Sequence, residues 1–107
     1  MTELQEKRCG EILKHYGVRS QQRQLIEECA ELIQSVSKLH RASKPQQLAR
    51  ERKQAAFHDF LEELADVEIM VEQMKQSLND RQRDTLSQIE TAKLNRQLRR
   101  IAQGENK

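Results

Sequence analysis

Apolar residues recur at helical spacing along four stretches of the chain. In the second stretch, steps of four and three residues connect Leu25, Cys29, Leu32, Val36 and Leu39. This spacing places their side chains along one side of an α-helix. A longer series in the third stretch is predicted to face inward: Phe57, Phe60, Leu64, Val67, Val71, Met74 and Leu78. The pattern therefore predicts amphipathic helices that bury one side each.

Turn and capping signals predict where the first two helices begin and end. The first spans residues 3–16 and stops at Gly17, a residue type common just past a helix C-terminus. Its inward face is predicted to contain Cys9, Ile12, Leu13 and Tyr16. Ser20 is the predicted N-cap of the second helix, which runs to about residue 40.

Two more helices are predicted in the second half of the chain. A polar, basic segment with the only proline, residues 41–54, is predicted to be a mobile connection. The third helix covers about 55–78, and the fourth about 83–103, with residues 103–107 as a frayed tail. Four apolar side chains of the fourth helix are predicted to be buried: Leu86, Leu94, Leu98 and Ile101.

The composition agrees with this all-α, four-helix prediction. The chain has 107 residues, one proline, three glycines, 34% charged and 3% aromatic residues. Its length fits a single domain, residues 1–107. Because so short a chain buries a limited core, we expect the helical bundle to be completed by oligomerisation.

Charge and hydropathy limit the classes of partner. A net charge of +2 is too small to indicate nucleic-acid binding without a basic patch. No apolar run is long enough for a signal peptide or a membrane span. We therefore expect a cytoplasmic protein, without nucleic-acid or membrane partners, in which Cys9 and Cys29 are reduced.

Two acidic clusters echo one another along the chain. "IEECAEL" at 26–32 is followed by "LEELADV" at 61–67, and each holds acids three residues apart beside an apolar stripe. On a helix such pairs have Cβ atoms about 5–6 Å apart. If the second and third helices pack antiparallel, the four carboxylates can converge: Glu28, Glu31, Glu63 and Asp66. Like charges at about 4 Å repel by about 1–4 kcal/mol, so the cluster needs a counter-charge.

A hard divalent cation meets that need. Carboxylate oxygens favour Mg²⁺ or Mn²⁺, which keep some waters and take further ligands from substrate phosphates. A di-iron bundle requires Glu-x-x-His, and no glutamate lies three residues before His15, His40 or His58. The alternative for each single acid is a solvated helix surface.

At these residues the chain resembles the MazG-like all-α nucleoside triphosphate pyrophosphohydrolases. Glu27-Glu28-x-x-Glu31, followed on the next long helix by Glu63-x-x-Asp66, is similar to the EExxE…ExxD signature of that family. The resemblance extends to the short helix ending "HYG", the basic connection and the last helix with "AKLNRQLRRI".

The resemblance implies an activity and a set of site residues. The family uses Mg²⁺ to hydrolyse nucleoside triphosphates between the α and β phosphates, and works as a homodimer or homotetramer. By resemblance, the metal ligands are Glu28, Glu31, Glu63 and Asp66. Lys93 and Arg96 match basic residues that contact the phosphates, with a solvated basic edge as the alternative.

Further residues near the signature are candidates for supporting roles. Glu27 and Glu62, each one position before a predicted ligand, could orient the attacking water; exposed surface acids are the alternative. Lys38 lies two turns beyond Glu31 and could reach a bound phosphate, unless it is simply solvated. Met70 is expected to be a core side chain that covers the site.

The sequence as a whole predicts a Mg²⁺-dependent enzyme that converts nucleoside triphosphates to monophosphates and pyrophosphate. The alternative is a non-catalytic helical assembly module, whose apolar stripes bind partner helices and whose acids keep it soluble. Metal dependence distinguishes the two, because only the enzyme needs Mg²⁺.

Overall fold

The computed structural model describes residues 1–43 and 49–104. Four α-helices account for nearly all of them, and no β-strand occurs in these ranges. The helices are α1 (Glu3–Tyr16), α2 (Val18–Ser43), α3 (Arg50–Gln76) and α4 (Asp80–Ala102). The prediction of an all-α protein is therefore confirmed. Helices α1 to α3 form one compact unit, Met1–Ser77, and α4 belongs to a second unit that starts at Leu78.

A single glycine joins α1 to α2. Gly17 has a φ of +87°, and its N–H donates a hydrogen bond of 2.8 Å to the Leu13 carbonyl. Glycine adopts this backbone region without the steric penalty that a Cβ brings. The Gln21 N–H already donates to the Gly17 carbonyl at 3.1 Å, so α2 begins at Val18. The predicted N-cap at Ser20 is wrong, because the turn is complete before Ser20.

The predicted mobile connection is shorter than expected. Residues 41–43 belong to α2 and residues 50–54 to α3. Residues 44–48, with the proline, lie outside the described residues, as do residues 105–107 of the predicted tail. The basic side chains at 50–53 were interpreted as a linker, yet arginine and lysine are good helix formers and extend α3 at its N-terminus.

The break before α4 lies where the sequence predicted it. The Asn79 side chain accepts a hydrogen bond of 2.8 Å from the Gln82 N–H, and the Gln82 side chain accepts one of 2.9 Å from the Asn79 N–H. This reciprocal capping box starts α4 at Asp80, three residues before the predicted position. The predicted burial of α4 is wrong for the single chain, because Leu94, Leu98 and Ile101 are 58–65% exposed.

Helix α2 packs antiparallel against α3, in the most extensive contact between helices. At one end Gln21 donates a hydrogen bond of 2.8 Å to Gln73, and both side chains are buried. Gln21 and Gln73 each belong to a row of residues that share one side of their helix by their spacing, and the residues of the two rows together are called the seam below. On α2 they are Gln21, Gln24, Glu28, Glu31, Ser35 and Lys38; on α3 they are Arg52, Ala56, Asp59, Glu63, Asp66, Met70 and Gln73.

The seam is polar, which the apolar pattern did not predict. Gln21, Ser35 and Gln73 are buried, whereas the α2 stripe from Leu25 to Leu39 is only half-buried. Among the described residues, the only apolar side chains in the buried class are Cys9 and Met70, which are 3% and 5% exposed. The four acids therefore converge between the two helices, as predicted, and the half-buried apolar stripe of α2 lies beside them. Met70 is confirmed as a core residue.

Helix α1 docks on the C-terminal part of α3. The Gln76 amide donates hydrogen bonds of 2.8 Å to the Glu6 carbonyl and to the Glu72 carboxylate. A Cβ at Gly10 would lie 2.7 Å from the Gln76 side-chain oxygen, so glycine permits this close approach. Cys9 is buried nearby, and both cysteines are free thiols, as expected.

Two sequence expectations concern the surface. Tyr16 was expected to pack inward, yet it is 60% exposed and its ring meets that of His15 edge-on at 4.7 Å. Within the described residues, no helix has an apolar stretch that could cross a lipid bilayer.

The buried amide pair makes a prediction about stability. Replacing Gln73 with Met keeps the side-chain length but leaves the Gln21 amide buried without its partner. We expect the free energy of unfolding to fall by about 1–3 kcal/mol, measured by urea denaturation. The double variant Gln21→Met/Gln73→Met should recover most of this loss, because neither buried amide remains. A double variant that is less stable than Gln73→Met would contradict this account.

Candidate metal centre

Four carboxylates converge in the middle of the seam. Glu28 and Glu31 come from α2, and Glu63 and Asp66 from α3. Each offers one oxygen, and these four oxygens all lie within 4.8 Å of one another. The structure thus brings together the four acids that the sequence proposed as metal ligands.

The acids pair across the seam in the order that antiparallel helices require. Across the seam, the Asp66 carboxylate contributes to the raised pKa of Glu28, and the Glu31 carboxylate contributes to that of Glu63. Residues three apart on one helix thereby face residues three apart on the other. The i,i+3 spacing in each motif is therefore what creates a four-sided oxygen cluster.

One oxygen of the cluster is buried without a partner. The Oε2 atom of Glu63 is shielded from solvent and forms no hydrogen bond. Burial raises the pKa of the Glu63 carboxyl above its ordinary value, and the Glu31, Asp66 and Glu28 carboxylates raise it further. A buried polar atom without a partner is costly, and such atoms are uncommon in proteins. A buried carboxylate oxygen without a hydrogen-bond partner, beside other acids, is typical of a metal ligand.

Gln24 supports a second oxygen of the cluster. Its side-chain amide donates a hydrogen bond of 2.9 Å to Oε1 of Glu28 from one turn earlier on α2. Burial raises the pKa of the Glu28 carboxyl, the Gln24 hydrogen bond lowers it, and Asp66 and Glu31 raise it again. The net shift is upward. Gln24 therefore orients one carboxylate while the ionised cluster remains electrostatically strained.

The donor set fits a hard divalent cation. All four groups provide carboxylate oxygen, and neither a thiol nor an imidazole belongs to the cluster. Oxygen-only sets of this kind suit Mg²⁺ and Mn²⁺, and a double positive charge offsets the mutual repulsion of the acids. The residues present therefore fit the metal that the sequence predicted.

The two proposed water-orienting acids lie outside this cluster. Glu27 is exposed. Glu62 is exposed as well and lies 3.5 Å from Nδ1 of His58, with Asp59 nearby. This second group of potential ligands is fully exposed and contains no unpartnered buried atom. A role of Glu27 or Glu62 in catalysis stays a prediction.

The two ends of the seam differ. Beyond Asp66, Met70 is buried and the Gln21–Gln73 pair closes the space between the helices. Toward the other end the seam reaches a groove lined by Lys38, Arg41 and Arg52. The carboxylate cluster is therefore closed on one side and continues into a basic surface on the other.

Sequence reasoning identified Lys38 but missed several neighbours. Gln21 and Gln73 lie seven residues before Glu28 and seven after Asp66, so counting in steps of seven from the acids would have found them. Arg41 and Arg52 had no such signal, because they fell in the segment interpreted as a linker.

The basic residues of α4 lie in the second unit. Lys93 and Arg96 are exposed, and Leu94 between them is 65% exposed. Lys93 borders a shallow depression formed by α4 itself. Their contact with phosphate stays a prediction.

Comparisons with known proteins add no relative. No protein-family model, no curated protein sequence and no solved structure matches the chain.

The raised pKa values make a prediction about pH. The folded state holds the Glu63 proton more tightly than the unfolded state, for which the ordinary value is 4.5. This contribution to stability is present in acid and is lost as pH rises from 4.5 through the raised pKa. In metal-free buffer, the Tm of the wild type minus that of Glu63→Gln should therefore decrease between pH 4 and 7.

The control for this measurement is Glu68→Gln, an exposed residue of the same helix that lies outside the carboxylate cluster. It reports the background effect of removing any carboxylate from α3. A difference that increases with pH, or that is the same for both variants, would show that Glu63 is not destabilised by its neighbours.

Proposed function

We propose that this protein is a Mg²⁺-dependent nucleoside triphosphate pyrophosphohydrolase of the MazG-like all-α type. It cleaves the bond between the α and β phosphates, and releases a nucleoside monophosphate and pyrophosphate. The observation that carries the proposal is the convergence of Glu28, Glu31, Glu63 and Asp66 on one point between two antiparallel helices. The resemblance of their spacing to the family signature supplies the reaction.

The four carboxylates would hold Mg²⁺, with Mn²⁺ as a substitute. When bound, the ion supplies Lewis-acid activation of a phosphoryl group and neutralises its charge. Gln24 fixes the direction of the Glu28 carboxylate through its 2.9 Å hydrogen bond. Met70 and the Gln21–Gln73 pair exclude water from the closed end of the seam.

The remaining candidates act on substrate and water. Glu27 or Glu62 accepts the proton of the attacking water, since each neighbours a ligand on its helix. Lys38, Lys93 and Arg96 bind phosphate oxygens and stabilise the charge that develops on the pyrophosphate leaving group. Of these, Lys38 is on the same unit as the carboxylates, in the groove at the open end of the seam.

The metal site is tested by Glu63→Gln. This change keeps the size of the side chain and removes one ligand charge, so Mg²⁺ affinity should drop by at least ten-fold in calorimetric titration. The same titration of Glu68→Gln should match the wild type, because Glu68 is exposed and outside the cluster. Equal Mg²⁺ affinity of Glu63→Gln and the wild type would disprove the four-carboxylate site.

The reaction is tested by its products. Purified protein with Mg²⁺ and a panel of ribo- and deoxyribonucleoside triphosphates should give the monophosphate and pyrophosphate, and chelation should abolish turnover. Glu63→Gln should reduce kcat/KM by about 100-fold or more, the scale seen on removing one transition-state contact. Diphosphate with orthophosphate as products would contradict the proposed bond, and no turnover of any member would contradict the activity.

We also propose that the protein is a homo-oligomer, a dimer or a tetramer. Only two apolar side chains of the described residues are buried, while Ile26 and Ile33 on α2 are 70% and 67% exposed. These two are seven residues apart and so share one side of α2. Such a side is typical of a helix that packs against another chain.

Sedimentation equilibrium at micromolar concentration tests this assembly. The wild type should be at least a dimer, and Ile26→Ser/Ile33→Ser should shift it toward monomer because the shared apolar surface is lost. Gln22→Ser, an exposed polar position of α2, is the control. A cooperatively folded wild-type monomer would contradict the proposal.

A non-catalytic assembly module is the second candidate. The exposed series Leu94, Leu98 and Ile101 on α4 favours it, because these side chains lie on one side of a helix. A module of this kind needs no metal, so stability and assembly that do not respond to Mg²⁺, together with absence of turnover, would select it.

A further inference from the structure

We infer that the groove at the open end of the seam is a binding subsite for the terminal phosphates of the nucleoside triphosphate. The groove has a volume of about 500 Å³, and α2 contributes Lys38 and Arg41 to its lining, while α3 contributes Arg52, Ala55 and Ala56. It is called the basic groove below. The inference rests on the proposed function, because it assigns a part of that function's substrate to this surface.

The described residues that line the basic groove carry more positive than negative charge. Lys38, Arg41 and Arg52 are exposed, and none forms an ion pair with another described residue. Asp59 is the only carboxylate among the described residues that line the groove. Three cations against one anion give this shallow groove a net positive charge that would attract a multiply charged anion.

The basic groove is also aligned with the carboxylate cluster. Lys38 follows Glu31 by seven residues on the same side of α2, which corresponds to about 10 Å along the helix. Arg52 precedes Glu63 by eleven residues on the same side of α3, about 16 Å away. Lysine and arginine side chains are long enough to span much of that separation. The opposite direction is closed by the Gln21–Gln73 pair.

The lining selects phosphate over the nucleobase. None of the described residues that line the basic groove is aromatic, so they offer no ring on which a base could stack. The alanines have small side chains and leave room in the groove. The two arginines offer planar pairs of hydrogen-bond donors that match phosphate oxygens. A ligand held at the cluster by its α-phosphate would thus place its β and γ phosphates toward the lysine and arginines.

The experiment uses a triple variant, Lys38→Ala/Arg41→Ala/Arg52→Ala, and inorganic tripolyphosphate with Mg²⁺ as the probe. Calorimetry should show tripolyphosphate binding to the wild type and binding at least ten-fold weaker to the triple variant. The loss should be smaller for pyrophosphate and smallest for orthophosphate, because shorter chains reach fewer of the three cations. Mg²⁺ binding alone should be unchanged.

The matched control removes three exposed cations from the same unit, far from the groove in sequence: Lys7→Ala/Lys14→Ala/Arg19→Ala. It should bind tripolyphosphate like the wild type. If the triple variant fails to fold by circular dichroism, Arg52→Ala and the charge-retaining Arg52→Lys replace it. The alanine variant should then lose affinity and the lysine variant should keep most of it.

Three results would overturn the inference: unchanged tripolyphosphate affinity in the groove variants, an equal loss in the control, or no tripolyphosphate binding by a wild type that binds Mg²⁺. In each case Mg²⁺ binding and its loss in Glu63→Gln would leave the proposed metal site standing. A wild type that binds no Mg²⁺ would instead overturn the proposed function, and this inference with it.

Discussion

The antiparallel register of α2 against α3 is the constraint on which the rest of the molecule depends. Each half of the carboxylate cluster comes from a different helix, so a slip of one turn would separate Glu28 from Asp66 and Glu31 from Glu63. The same slip would leave the Gln21 and Gln73 amides without each other. The buried amides can form their hydrogen bond in only one alignment of the two helices. Other alignments are therefore disfavoured, as they are by buried polar residues in coiled coils. Binding chemistry and register are thus specified by the same face.

This arrangement limits the apolar stabilisation of the unit. A seam made of glutamine, glutamate and aspartate buries little hydrocarbon, and the four acids repel one another once ionised. The apolar stripe of α2 lies beside the seam and stays half-exposed. The contact of α1 with α3, which includes the hydrogen bond from Gln76 to the Glu6 carbonyl, adds to the stability of the unit. A cation and a partner subunit are the two additions that the exposed and unpartnered groups favour.

The sequence predicted the parts of this structure that have strong local signals. Gly17 and Asn79 mark helix ends because a left-handed φ and a capping side chain act within a few residues. The acidic pairs were found because their i,i+3 spacing can be read directly from the sequence. The buried Gln21–Gln73 pair was not, because glutamine is ordinarily a surface residue and its burial depends on a partner 52 positions away. The basic helical turn at 50–53 was missed because charged residues beside a proline resemble a linker.

The similarity between "EECAEL" and "EELADV" has a geometric consequence, because α2 and α3 run in opposite directions. When the two segments are superposed, Glu28 corresponds to Glu63 and Glu31 corresponds to Asp66. The Glu28–Asp66 pair then corresponds to the Glu63–Glu31 pair, so the cluster has an approximate two-fold axis through its centre. In the same superposition Gln21 corresponds to Ala56 and Gln73 corresponds to Lys38, so the two helices differ at these positions. One half of a nearly symmetric scaffold is sealed by amides, and the other ends in alanine and lysine. Because of this broken symmetry the two ends of the cluster differ, so the two orientations of a ligand with unlike ends across it would not be equivalent.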